Sequence, residues 1–331
     1  RMRPRMATGD KRLVRLDKLL NTDDFRKAAK RKLPAPMLHY LDGGADDEWT
    51  LADNTDAFTR YPLLPEYLKD LSVVDTTTRV LGTELKAPLI LSPTGMNRLF
   101  HHEREPAVAR AAARHGLMYS LSTLGTTSME DVAAASGGPK MFQIYIHKDR
   151  GLTMEFVARA KAAGYDALCL TVDMVAGGNR ERDLRTGFLM PPKLTLSSLS
   201  SFITHPGWTF NLLRNSDFRL ANVAHRQDAL AGGAMGVIGY VNSQFDHSVT
   251  WDDAAKVIEA WGGPFAIKGI LSPADAVRAR DVGASAVMIS NHGGRQLDGA
   301  AAPIDCVAPM RDAVGADMEL IVDGGVRRGN H

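Results

Sequence analysis

The residues best suited to chemistry stand together in Ser290-Asn291-His292-Gly293-Gly294-Arg295-Gln296-Leu297-Asp298. Histidine exchanges a proton near neutral pH. Arginine offers a planar fork that meets a carboxylate with two parallel hydrogen bonds. Gly293 and Gly294, between the two, let the backbone turn and remove side chains that would block a ligand. A base beside a carboxylate clamp suits a small acid that loses a proton near its carboxyl group. His-Gly-Gly alone would equally fit a strand end capped by a polar turn.

The elements that must position this string follow from periodicity. The apolar run Ala286-Val287-Met288-Ile289 reads as a buried strand ending at the polar cluster. Similar runs occur at Leu89–Ser92, Met118–Leu121, Met141–Tyr145, Ala167–Val172, Phe265–Lys268 and Leu320–Asp323. Amphipathic stretches such as Glu105–His115, Leu152–Ala163 and Pro273–Val282 lie between them. Strand–helix alternation predicts parallel strands with crossover helices. No Gly-x-Gly-x-x-Gly follows an early strand, which argues against a dinucleotide fold. Polar groups gather after nearly every strand instead, and they meet at one mouth if the strands close into an α/β TIM (β/α)8 barrel. A helix is expected from Asp23 to Lys32, capped by Asn21 or Thr22. Seven strands can be counted before the chain stops at His331.

The nine-residue string is similar to the active-site signature of the FMN-dependent L-2-hydroxy-acid dehydrogenase and oxidase family. That family includes glycolate oxidase, membrane L-lactate dehydrogenase, (S)-mandelate dehydrogenase and lactate monooxygenase. The resemblance runs from about Asp24 to the last residue. It implies an eighth strand and a C-terminal tail, both absent from this chain, so an incomplete record of a longer protein is expected. A non-catalytic truncated barrel is the contrasting expectation.

What the resemblance implies for the site can be stated residue by residue. His292 is the base, paired with Asp173. Arg180 and Arg295 hold the substrate carboxylate, and Tyr40 and Tyr145 hydrogen-bond the substrate. Ser122, Gln143 and Thr171 serve the isoalloxazine edge of FMN, with Thr94, Gly95 and Ser290 beside it. Lys268 sits near flavin N1 and O2, where a fixed positive charge stabilises the reduced ring. Asp323 serves the ribityl chain and Arg327 the phosphate, and Gly325 also belongs to the cofactor-binding set. A lysine at a strand end also fits a Schiff-base role, but the flavin-type residues around Lys268 rank that lower. The products would be a 2-keto acid and reduced flavin, with L-lactate or L-mandelate as leading substrates. Leu124 stands where short-chain glycolate oxidases carry tryptophan, which implies a roomier pocket. Gly95 stands where oxidases often carry alanine, which implies a dehydrogenase passing electrons to a quinone or another carrier. An oxidase making hydrogen peroxide is the alternative. The family is commonly tetrameric, so a homo-oligomer is expected.

Composition agrees with an ordinary globular enzyme. The chain has 331 residues, 44% apolar and 24% charged, with a net charge of +2. That balance gives no case for nucleic-acid binding. Cys169 and Cys306 lack metal spacing and read as core thiols, which suits a reducing cytoplasm. No metal site is expected. No apolar run reaches the ~18 residues of a membrane span, and no signal peptide is evident. Residues 1–19 form a basic arm, either disordered or an anchor to an anionic surface. Residues 20–331 form the barrel. The stretch 190–250 interrupts the rhythm and is long enough to be a functional insertion. Leu196, Leu199, Phe202, Ile203, Trp208, Phe210, Leu212 and Leu213 stand there among Lys193, Arg214, Arg219 and Arg226. The segment is expected to be an active-site lid or, as in membrane-bound relatives, a peripheral contact with the inner face of the cell membrane.

Overall fold

A computed structural model describes residues 16–174, 177–186, 195–215, 217–229 and 243–331. The arm at 1–15, together with Lys193 and Leu194, lies outside the described residues.

Helix α1 (Thr22–Lys30) starts one residue before the expected point. The Asn21 side chain accepts from the Asp24 N–H at 3.0 Å, and Asp23 and Asp24 favour its positive end. Pro34 directs the chain into α2 (Ala35–Asp42), which carries Tyr40. Helix α3 (Trp49–Asp56) follows. Strands β1 (Thr78–Val80) and β2 (Thr83–Leu85) form a short antiparallel hairpin.

Seven parallel strands then pair in chain order: β3 (Ile90–Thr94), β4 (Met118–Ser122), β5 (Lys140–Ile144), β6 (Ala167–Thr171), β7 (Phe265–Ile270), β8 (Ala286–Ser290) and β9 (Glu319–Asp323). All seven expected strands are present. The third ends one residue early, so Tyr145 lies just beyond it. The crossovers carry α4 (Arg104–His115), α5 (Met129–Ala135) and α6 (Arg150–Ala162). Between β6 and β7 run α7 (Glu181–Arg185), α8 (Leu196–Thr204), α9 (Pro206–Arg214) and α10 (Trp251–Trp261). Helices α11 (Pro273–Asp281) and α12 (Val307–Val314) complete the set.

Alternation along each strand divides the core in two. Tyr119, Leu121, Phe142, Ile144, Leu168, Leu170, Ile267 and Ile289 face the helices. Met118, Met141, Ala167, Cys169, Ala266, Ala286 and Met288 face the barrel axis, where Leu81 and Leu85 of the hairpin join them. The inside is therefore apolar at its lower end, and polar residues such as Gln143, Thr171, Lys268 and Ser290 stand two or four positions further along the strands. Leu81 N–H donates to Glu319 Oε2 at 2.7 Å, tying the hairpin to β9. Ser92 of β3 donates to Asp323 of β9, so the curl brings the two outermost strands together at the upper end. Both cysteines are buried and unpaired, as expected.

Candidate active site

Two charge clusters, one buried and one part-buried, occupy the upper mouth. The first lies inside the barrel. Lys268 Nζ is 2.9 Å from Asp323 Oδ2, 2.9 Å from Ser290 Oγ and 4.0 Å from Asp173 Oδ2. Ser290 Oγ in turn donates to Asp323 Oδ2 at 2.7 Å. Burial works against the Lys268 ammonium, but the Asp323 and Asp173 carboxylates outweigh it and hold its pKa above the ordinary lysine value. Burial likewise works against the Asp323 carboxylate, yet Lys268 and the bonds from Ser92, Lys268 and Ser290 bring it down to about 2. Both groups are therefore ionised at neutral pH.

The second cluster sits where three segments meet. His292 Nδ1 lies 2.7 Å from Asp173 Oδ1. His292 has a φ of 57°, and Gly293 and Gly294 continue in the left-handed region. That conformation costs a residue with a Cβ roughly 1 kcal/mol, and the surrounding bonds hold it. His292 N–H donates to Ser290 Oγ, and Gly294 N–H donates to Asn291 Oδ1. Asn291 and Asn54 exchange amide hydrogen bonds at 2.9 and 2.6 Å, fixing α3 against the end of β8. A Cβ on Gly294 would come within 2.5 Å of Leu51 N, so glycine is required there.

Tyr40 lies between two cations. The guanidinium carbons of Arg180 and Arg295 each stand 5.3 Å from its ring centroid. Arg295 also donates to Gly43 O at 2.5 Å, and Arg180 Nε is 2.9 Å from Asp183 Oδ2. Burial pushes the Tyr40 hydroxyl pKa up, against the pull of both arginines. Burial and the neighbouring Arg180 charge lower that of Arg295. Burial raises the Asp183 carboxyl despite Arg180 and Arg295. Two guanidinium groups facing one such carboxyl leave the recess electropositive. Backbone bonds lock its walls: Ala45 N–H to Gly294 O at 2.8 Å, and Asp46 N–H to Asn179 O at 2.9 Å. Gly178 N–H donates to Gln296 Oε1 at 2.7 Å.

The remaining expected residues divide. Ser122 donates to Gln143 Oε1 at 3.1 Å, and Gln143 donates onward to Ile144 O. Among the described residues, Thr171 Oγ1 is buried without a hydrogen-bond partner. A buried hydroxyl left open on the rim fits a polar group supplied by a ligand. Tyr145 is buried, which holds its hydroxyl far above the ordinary range, and its ring meets Phe245 edge-on at 5.2 Å. A Cβ on Gly95 would meet Leu124 Cβ at 3.0 Å, so the β3 and β4 ends approach closely. Thr94 is exposed with Oγ1 3.1 Å from Asn97 Oδ1. Gly325 is packed so tightly on Asn54 O that a Cβ would overlap it. Arg327 is exposed, and its guanidinium donates to Val326 O rather than joining the mouth. Ser92, Asn54, Gln296 and Asp298 had no assigned role in the sequence. Asp298 accepts from Thr50 N–H at 2.7 Å and so secures the start of α3. Gln296 and Asp298 belong to the string itself, which was the available signal.

A family model described as FMN-dependent dehydrogenase matches residues 29–331. The chain belongs to that family. It is therefore an FMN-dependent 2-hydroxy-acid oxidoreductase on a barrel-type α/β fold. An L-lactate dehydrogenase of Caulobacter vibrioides is 39% identical over 310 residues, covering 93% of this chain and 80% of that protein. An L-lactate oxidase of Nostoc sp. is 41% identical over 314 residues, covering 94% and 80%. The crystal structure of the monotopic membrane protein (S)-mandelate dehydrogenase superposes with a TM-score of 0.90 at 34% identity, covering 95% of this chain and 82% of that one. As an FMN-dependent dehydrogenase the chain oxidises L-2-hydroxy acids.

Proposed function

We propose that this FMN-dependent dehydrogenase converts L-lactate or L-mandelate to the 2-keto acid and passes the electrons to a quinone or another carrier. The observation that carries the reading is the His292–Asp173 pair set beside the Arg180–Tyr40–Arg295 recess. Arg180 and Arg295 bind the substrate carboxylate, and part-buried guanidinium groups held by Asp183 and Gly43 O do so with little reorganisation. Tyr40 and Tyr145 keep protonated hydroxyls and hydrogen-bond the substrate oxygens. His292 takes a proton from the substrate, and Asp173 stabilises the imidazolium that results. FMN, when bound, accepts the two electrons. Thr94, Gly95, Ser122, Gln143, Thr171, Lys268, Ser290, Asp323, Gly325 and Arg327 hold the cofactor. The Lys268 ammonium, kept charged by Asp323, would set a fixed positive charge beside the bound cofactor. Leu124 leaves room for a substrate side chain larger than hydrogen.

The helical pair α8–α9 supports a peripheral membrane contact. Leu196, Leu199 and Ile203 on α8, and Phe210 and Leu213 on α9, recur at helical spacing and point to solvent; Leu196 is 89% and Leu213 73% exposed. Among the described residues no helix is long and apolar enough to cross a membrane. The similarity to a monotopic mandelate dehydrogenase favours an interfacial role over a lid. The similarity to a lactate oxidase favours a second reading, with oxygen as acceptor.

The test is an anaerobic visible spectrum of the flavin-loaded protein with L-lactate and, separately, with L-mandelate. Bleaching by one acid assigns the substrate. A yellow protein bleached by neither removes both substrates. Rapid oxygen uptake with substrate alone would replace the carrier by oxygen.

A further inference from the structure

Strand β7 changes register at a single residue. Lys268 pairs with Met288 and Ile270 with Ile289, so Gly269 is the extra residue of a bulge. Its φ is +103°, a region that L side chains rarely adopt. The space above it is filled by one residue. A Cβ built on Gly269 would lie 2.6 Å from Asp173 Cβ, 2.8 Å from Asp173 Cγ and 2.9 Å from Asp173 N. The preceding backbone is also joined to β6, since Val172 N–H donates to Lys268 O at 2.9 Å. The missing side chain of Gly269 is thus the seat in which the Asp173 carboxylate rests, with Oδ1 on His292 and Oδ2 turned toward Lys268.

We infer that Gly269 is a positioning residue for the reaction, holding Asp173 against His292 by leaving room for it. The inference rests on the proposed roles of Asp173 and His292. It goes further in naming a backbone device, outside the set of groups that touch substrate or flavin, on which the base depends. A methyl group at residue 269 must push Asp173 outward. A displacement of ~1 Å is enough to cost about 100-fold in rate.

The test uses the flavin-loaded enzyme and the variant Gly269→Ala. A histidine Nδ1–H bonded to a carboxylate gives a far-downfield proton resonance. The wild type is expected to show it for His292, and Gly269→Ala to lose it while flavin reduction slows about 100-fold. In an Asp173→Asn background the same change is expected to add nothing, because the group it displaces no longer acts. An unchanged resonance in Gly269→Ala, or rate losses that simply add, would overturn the inference. If Gly269→Ala folds poorly, Asp173→Gly in the same chain removes the clashing Cβ and Cγ, though not the approach to the residue 173 nitrogen or the positive φ, and should restore part of the lost melting temperature; no restoration overturns it as well. Should Asp173→Asn alone reduce flavin at the wild-type rate, the proposed role of Asp173 falls, and with it the role assigned to Gly269 in the reaction.

Discussion

His292 Nδ1 and Asp173 Oδ1 meet at 2.7 Å, although 119 positions separate them and a whole strand, β7, stands between their own. The contact fixes which imidazole nitrogen faces away from Asp173. With Nδ1–H bound to the carboxylate, Nε2 is the atom open to a substrate. The positive charge formed when Nε2 takes a proton meets a carboxylate already in place.

Replacing His292 with alanine removes the proposed base and none of the residues proposed to hold flavin. The expected outcome is a yellow protein whose anaerobic reduction is slowed by roughly 100- to 10,000-fold. Stopped-flow absorbance with L-lactate and with L-mandelate measures it. Reduction within a few-fold of the wild type would remove His292 from the mechanism.

Asp323 gives a defined acid dependence. Its folded pKa is about 2 against an ordinary value of 3.8. A carboxylate lowered on folding stabilises the fold above its unfolded pKa and loses that contribution as pH falls toward the folded one. The contribution is about 2 kcal/mol, present above pH ~4 and lost toward pH ~2. Asp323→Asn should abolish this part of the acid transition. At neutral pH the same change leaves the buried Lys268 ammonium with only the more distant Asp173 carboxylate, at a cost of up to about 3–5 kcal/mol. Thermal melts of both proteins from pH 6 down to 2.5 test the two statements together.

Arg295→Lys retains a charge and loses the fork. Hydrogen bonds to a charged group contribute about 1.5–3 kcal/mol each. The Michaelis constant for the acid should therefore rise by roughly 10- to 100-fold. Steady-state kinetics with lactate and with a neutral amide analogue separate the cases. An equal loss for both would argue against a carboxylate contact.

The apolar stripes of α8 and α9 make a test independent of chemistry. The double change Phe210→Glu and Leu213→Glu places charge on the exposed face. Wild type should co-sediment with phospholipid vesicles and the variant should not, with flavin reduction alike in both. A wild type left wholly in the supernatant excludes the membrane contact.

The barrel was readable because its five inner strands, β4 to β8, are buried on both faces, and such strands stand out as largely apolar runs. Helix α1 was readable from its Asn21 cap. The hairpin β1–β2 was not, since three-residue strands holding Thr83 and Glu84 carry no period. Helix α3 was not readable either. Its sequence, WTLADNTD, is a poor helix former, and it is held by Asp298 and by the Asn54–Asn291 pair. The chemical groups showed themselves as polar residues at strand ends. Their supports did not, because each works across a long separation: 118 positions from Gly178 to Gln296 and 237 from Asn54 to Asn291.

The α8–α9 pair is fastened at its base. Arg98 donates to Asn211 O and Asn215 O, Trp208 donates to Leu99 O, and Ala35 N–H donates to Ser201 Oγ. Among the described residues, none of these bonds reaches a barrel strand. Under the membrane contact proposed above, where the enzyme resides and what it catalyses would be written in separable parts of one chain. Selection, or an engineer, could then rewrite the outer face of this helical pair and send the same catalyst to a lipid surface or into open solution without touching a residue at the mouth of the barrel.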